Sequence, residues 1–90
     1  MTAQNPGAKK CYYVYLLRCA DDTLYGGWTV DLERRLRAHN SGQGAKYTAA
    51  RLPVRLVYWE ACGSKREAMR REYRLKRLSR AQKLLLIGKL

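Results

Sequence analysis

Three tyrosines, an arginine, a histidine and a glutamate are the residues of this chain whose types and spacing could act on a phosphodiester. Tyr13 and Tyr15 alternate along YYVYLLR, and Tyr25 lies in the next apolar stretch, LYGGWT. Arg35 and His39 are four apart in DLERRLRAHN, so on a helix they sit one turn apart, flanking the pair Leu32 and Leu36. Polar groups of this kind are costly on an apolar face unless they have partners or a task there. A guanidinium so placed can clamp a phosphoryl oxygen in two-point geometry. A phenol ordinarily titrates at about pH 10, so a tyrosine acting as base needs cations or metal-bound water nearby. The plain alternatives are sheet packing for Tyr13, Tyr15 and Tyr25, and a hydrogen-bonded structural role for His39, the only histidine in the chain.

The second half adds a carboxylate. From Lys65 to Leu78 the spacing is helical, and Glu72 falls near the middle of an apolar arc bordered by Ala68, Met69, Tyr73 and Leu75. An ionised carboxylate facing inward is costly unless it is paired or binds a metal. Glu72 therefore reads either as one half of an internal ion pair or as a ligand for one hard divalent cation that keeps most of its waters and meets substrate phosphate. On the same helix Arg66, Arg70, Arg74 and Arg77 form a basic stripe, and Lys46 lies in a basic loop. These cations suit a nucleic-acid backbone, which they would position without reading bases. Gly26 and Gly27 interrupt a strand, which marks a bulge or a place where something approaches the backbone closely. Gly27 and Tyr13 are accordingly candidate nucleic-acid contacts.

Positioning these groups requires a particular order of elements. Tyr12–Arg18 and Thr23–Thr29 read as the strands of a hairpin about the turn-prone Ala20-Asp21-Asp22. Tyr13 and Tyr15 share one face, with Val14 and Leu16 on the other; Tyr25, Gly27 and Thr29 share a face of the second strand. Asp31 suits the start of a helix that Ser41-Gly42-Gln43-Gly44 ends. After the loop at Lys46, Tyr47 and Thr48, Pro53 precedes a third strand, Val54–Glu60, whose partner strand is left open. Ser64 and Glu67 predict a capping box for the next helix. Ser79 opens a last short helix whose Leu84, Leu85 and Ile87 can close the core.

Ninety residues suffice for one compact domain, with an apolar fraction of 47%. Residues 1–10 read as a flexible leader and 11–90 as the domain. The net charge is +12, and residues 64–90 hold ten basic against two acidic side chains. Such an excess favours a polyanionic partner, DNA or RNA, through phosphate neutralisation and counterion release. The three cysteines, Cys11, Cys19 and Cys62, are odd in number and lack close metal-ligand spacing, which fits a reduced cytoplasm. No apolar run approaches membrane-spanning length, so no membrane association is expected.

With those residues assembled, the chain from Tyr12 to Ile87 resembles the GIY-YIG nuclease domain, in the pattern of its small stand-alone bacterial members (a YhbQ-like group). The first half-motif stands as Tyr13-Val14-Tyr15 and the second as Tyr25-Gly26-Gly27, followed in register by Arg35, His39 and the REYRLK helix. The resemblance implies an α/β (α+β) fold, a small three-stranded antiparallel sheet flanked by helices in the order β-β-α-β-α-α. It implies DNA phosphodiester cleavage with one divalent ion, Mg²⁺ or Mn²⁺, and a role in DNA repair or processing. By the same likeness Tyr15 and Tyr25 are motif tyrosines, Arg35 binds phosphate, His39 occupies a position filled by His or Tyr, and Glu72 holds the metal. The chain departs from the pattern at Tyr13, at Gly26 and at Trp28, where some branches carry a lysine. With no dedicated recognition domain, specificity would rest on this domain or on a partner protein. The competing expectation is a non-catalytic basic DNA- or RNA-binding module on the same fold.

Overall fold

The computed structural model describes residues 11–88; the expected leader, residues 1–10, lies outside them. Three strands, β1 (Tyr12–Arg18), β2 (Leu24–Thr29) and β3 (Arg55–Cys62), form one antiparallel sheet in the order β2-β1-β3. The partner of the third strand, open from sequence, is thus β1. Val14, Tyr15, Leu16 and Leu17 are all buried, because helices cover both faces of this central strand. In the hairpin turn Asp22 adopts a φ of 72°. Aspartate tolerates this region better than most residues, and here Arg18 (2.5 Å) and Arg80 (3.0 Å) pin its carboxylate.

Register assigns the faces. Tyr15 lies opposite Gly27 on one side and Trp59 on the other, and Tyr13 lies opposite Thr29 and Ala61. Directly paired residues share a face. Helix α1 (Leu32–Asn40) lays Leu32 and Leu36 on this face, over Tyr15, Leu17 and Val54. The opposite face, carrying Val14, Leu16 and Tyr58, is covered by α3 (Lys65–Arg77) and α4 (Arg80–Ile87). Between α1 and β3 the chain makes a single helical turn, α2 (Lys46–Ala49), where the sequence predicted only loop.

Caps fall at the expected residues. Asp31 accepts from the Arg34 amide, Ser64 from the Glu67 amide, and Ser79 from the Gln82 amide, with Gln82 returning the bond to Ser79. Glu67 reaches past its cap to the Gly63 amide instead. Two details of packing differ from expectation. On α3, Ala68 and Leu75 are buried, while Met69 and Tyr73 are 48% and 63% exposed. The inward place next to them goes to Arg71, whose guanidinium takes both oxygens of Glu60 (2.9 and 2.7 Å), so the helix is turned toward that pair. On α4, Leu86 and Ile87 reach the core, and Leu84 and Leu85 face outward. The third strand also begins one residue later and runs two residues further than the alternation predicted, through Cys62.

Candidate active site

Tyr15, buried on the central strand, is the hub of a cluster built from three elements. Its hydroxyl lies 3.0 Å from Nε2 of His39 and receives a hydrogen bond from Nε of Arg35 at 3.3 Å. The second terminal nitrogen of Arg35 donates to the Gly44 carbonyl at 3.0 Å, which tethers the guanidinium to the loop after α1. On its other side the imidazole meets Thr48 of α2, with Nδ1 and Oγ1 2.8 Å apart, and Thr48 donates its own proton to the Ala45 carbonyl at 3.1 Å.

These bonds assign the protons. Thr48 gives its hydrogen to Ala45, so its oxygen accepts from His39 Nδ1–H. A neutral imidazole then presents a bare Nε2. Arg35 can only donate, so the Tyr15 oxygen accepts from it while the Tyr15 hydrogen points to Nε2. The chain of donors reads Arg35 to Tyr15 to His39 to Thr48 to Ala45. Burial and the Arg35 charge both hold the His39 pKa below its ordinary 6.5, which keeps the ring neutral as the network requires. Burial pushes the Tyr15 phenol up; the Arg35 hydrogen bond and charge oppose that rise, and the charges of Tyr25 and Glu72 add to it.

Glycines make room for the cluster. A Cβ on Gly27 would stand 2.5 Å from the Tyr15 hydroxyl oxygen, and one on Gly44 would overlap the His39 ring and lie 2.7 Å from its Cα. The bareness of Gly27 is therefore filled by Tyr15 itself. Gly26, on the opposite face of the edge strand, is crossed by the stem of Lys76, whose Cγ would be 3.5 Å from a Cβ there. Lys76 thereby reaches the Tyr25 ring, with its ammonium 5.7 Å from the centroid.

Tyr25 is half-buried beside the hub. Its ring meets His39 edge-on at 5.5 Å and stacks on Tyr47 at 5.8 Å, and Arg51 covers the far side of Tyr47 at 3.8 Å. Among the described residues no hydrogen bond commits the Tyr25 hydroxyl, in contrast to that of Tyr15. Glu72 comes to the same region from α3. It is close enough for its charge to oppose ionisation of Tyr15, and its carboxylate lies 3.3 Å from Lys76.

Tyr15, Tyr25, Arg35, His39 and Glu72 are thus brought together from β1, β2, α1 and α3. The basic stripe is not brought to them. Arg66, Arg70, Arg74 and Arg77 are all exposed, and at about 100° per residue their mean direction lies roughly 150° around α3 from Glu72. Lys46 is exposed at the start of α2, and Tyr13 is half-buried next to Trp59. Thr48, Gly44, Tyr47 and Lys76 belong to the cluster and were missed from sequence. Lys76 carried a readable signal, its i+4 spacing from Glu72. Thr48 and Gly44 carried none, since their partner is reached only after the loop folds back on α1.

As a metal site the region offers one carboxylate. Among the described residues no group of three or more His, Cys, Asp or Glu side chains could hold an ion. Glu72 is nonetheless partly buried, and its cation partner is a half-exposed lysine on a flexible stem. That donor set fits a magnesium-like ion that keeps several waters and takes further oxygens from a phosphate; it does not fit a closed protein cage.

A family model for the GIY-YIG catalytic domain matches residues 11–84. A UPF0213 protein of Clostridium perfringens (strain 13 / Type A) is 60% identical over 76 residues, covering 84% of this chain and 82% of that protein. A UPF0213 protein of Halobacterium salinarum is 57% identical over 72 residues, or 80% of this chain and 94% of that one. Among solved structures, the solution NMR structure of a UPF0213 protein from Bacillus halodurans is 51% identical with a TM-score of 0.56, covering 87% of this chain and 83% of that chain. The solution NMR structure of a protein from E. faecalis is 44% identical with a TM-score of 0.60, covering 90% and 86%.

Proposed function

We propose that this chain, which belongs to the GIY-YIG catalytic domain family, hydrolyses DNA phosphodiester bonds at the Tyr15–Tyr25–Arg35–His39–Glu72 cluster. The observation that carries the reading is the directed hydrogen-bond chain from Arg35 through Tyr15 to the bare Nε2 of His39. DNA carrying flaps, branches or damage, in the cytoplasm, is the substrate this reading favours, with processing or repair as its role.

Each side chain then has a task. Arg35 already spends one nitrogen on Tyr15 and one on Gly44. Its remaining hydrogens hold a phosphoryl oxygen in fixed orientation and stabilise the charge that builds there as water attacks phosphorus. Tyr25, with an uncommitted hydroxyl, contacts the attacking water. The water that Tyr25 contacts gives its proton to the Tyr15–His39 pair, in which His39 Nε2 is the lone pair able to keep it at neutral pH. Tyr15 passes its own hydrogen to Nε2 while its oxygen takes the incoming one, so the pair ends as phenol and imidazolium. Thr48 fixes the tautomer that makes this transfer possible. Glu72 would hold one divalent ion, Mg²⁺ or Mn²⁺, which when bound supplies Lewis-acid neutralisation of charge on the phosphate. Lys76, between that carboxylate and the Tyr25 ring, holds Glu72 beside the cluster.

A second reading has its own support: the one carboxylate of the site is already paired with Lys76. On that reading the chain is a basic nucleic-acid-binding module with no turnover. Purified protein is incubated with plasmid, branched and single-stranded DNA, with and without Mg²⁺ or Mn²⁺. Metal-dependent cleavage that disappears in Arg35→Ala and Glu72→Ala is the expected result. Cleavage retained in both variants would sink the assignment, and salt-sensitive binding without any cleavage would establish the module instead.

A further inference from the structure

Among the described residues, the α1 face of the sheet is not fully covered. Beyond the first turn of α1 lies an open groove of about 880 Å³, with Tyr13 and Trp59 on its sheet side and Val30, Arg34 and Arg35 along its rim. Trp59 is 44% exposed and Val30 50%, both large apolar side chains left in water. The Tyr13 ring meets Trp59 edge-on at 5.8 Å, which braces the indole and leaves its surface open. Asp31 also lines the groove, but its carboxylate is engaged by the Arg34 amide as the cap of α1. Arg35 belongs to both places. Its guanidinium touches Tyr15 in the candidate active site, and the same residue lines the groove.

We propose that this groove binds an unpaired nucleotide next to the phosphate held by Arg35, its base stacking on Trp59 and its backbone meeting Arg34. The inference rests on the phosphodiester reading of the cluster and names the substrate class within it: strands with unstacked bases, such as single-stranded stretches, flaps and frayed ends. Three features argue for a base over another occupant. Braced, exposed aromatics beside guanidinium groups are how unpaired bases are held without sequence preference, since every base has a π-face. Arg34 and Arg35 outnumber Asp31 along the groove, and with the chain's net charge of +12 this favours a polyanion over an apolar peptide. Arg35 is common to the groove and the phosphate clamp, so a strand held at Arg35 has the groove beside it for a neighbouring nucleotide. A base inside a duplex is stacked on both sides and cannot use Trp59.

The test uses the full chain carrying Glu72→Ala, to suppress cleavage, with labelled oligonucleotides followed by fluorescence anisotropy. Trp59→Ala is expected to weaken single-stranded DNA about tenfold while changing blunt-duplex affinity less than about twofold. Trp59→Phe restores most of the loss, and unchanged circular dichroism and melting exclude a folding defect. A single-stranded RNA of the same sequence forms the second arm; the tighter of the two polymers names the natural strand. Equal losses on single strand and duplex, or no loss on either, overturn the proposal. Self-association that Trp59→Ala abolishes, with oligonucleotide affinity unchanged, also overturns it and makes the groove a contact between copies. Because binding is read apart from turnover, a Trp59-dependent single-strand preference stands if the parent chain fails to cut, and cleavage indifferent to Trp59 refutes this inference alone.

Discussion

The Tyr15 hydroxyl has a donor on one side, an acceptor on the other and the bare Cα of Gly27 against it. Tyr15→Phe removes the partner of the buried His39 and the half-buried Arg35 at once and is expected to cost about 1–3 kcal/mol of stability as well as activity. Tyr25→Phe removes an uncommitted hydroxyl, so activity falls while denaturation midpoints move by less than about 0.5 kcal/mol. Urea titrations beside single-turnover cleavage separate the two. His39 gives a pH signature. Its folded pKa lies below the ordinary 6.5, so between those two values the unfolded chain binds the extra proton. Its contribution to stability is whole above about pH 6.5 and is lost as pH falls through the lowered value. The parent should therefore melt at falling temperature below pH 6.5, and His39→Gln should flatten that slope. The same protonation removes the lone pair, so cleavage should show an acid limb in the same window. Thr48→Val deletes the acceptor that fixes the imidazole tautomer, and ¹⁵N chemical shifts of His39 should report mixed tautomers. Thr48→Ser should restore a single one.

The elements matter because no one of them carries the site. Edge strand β2 admits Tyr15 over Gly27 on one face and Lys76 over Gly26 on the other. Gly27→Ala forces the buried phenol to move, and a loss of about 1–3 kcal/mol with collapse of activity is expected. Gly44→Ala should be the harsher change, because its Cβ would meet the backbone of α1 as well as the His39 ring; thermal melts of the two variants compare them directly. Much of this arrangement was legible in the sequence. Alternation placed Tyr13 and Tyr15 on one face, the i, i+4 rule placed Arg35 and His39 beside Leu32 and Leu36, and three caps fell on the expected residues. The rest depended on contacts between segments far apart in the chain. The bond from His39 to Thr48 needs the loop after α1 to close, and α2 is too short for periodicity to reveal. The rotation of α3 was set by Arg71 finding Glu60 eleven residues earlier, which no helical wheel contains. The same rotation turned Met69 and Tyr73 out to solvent.

For the molecule as a whole, the positive charge is not gathered at the reacting cluster. Arg66, Arg70, Arg74 and Arg77 face solvent on the far side of α3, where Arg77 also lies 5.2 Å from the Tyr73 ring. Neutralising Arg70 and Arg74 together should lower overall DNA affinity and reduce the slope of log K against log salt by up to about 2, while cleavage at saturating protein changes far less than in Arg35→Ala. Binding isotherms over a salt series decide this. One consequence follows from the place of β1 in the sheet. Tyr15 sits on the strand that is bonded on both sides, whereas Gly44, which anchors Arg35, sits in a loop between two short helices. Central strands exchange their amide hydrogens only when the entire fold opens, and loops do so far sooner. In deuterium the Tyr15 amide should exchange at the rate of global unfolding, and the segment around Gly44 long before it. The phenol on β1 is then as durable as the molecule itself, while the loop that anchors Arg35 at Gly44 and borders His39 is the part that can let go and re-form within a folded lifetime.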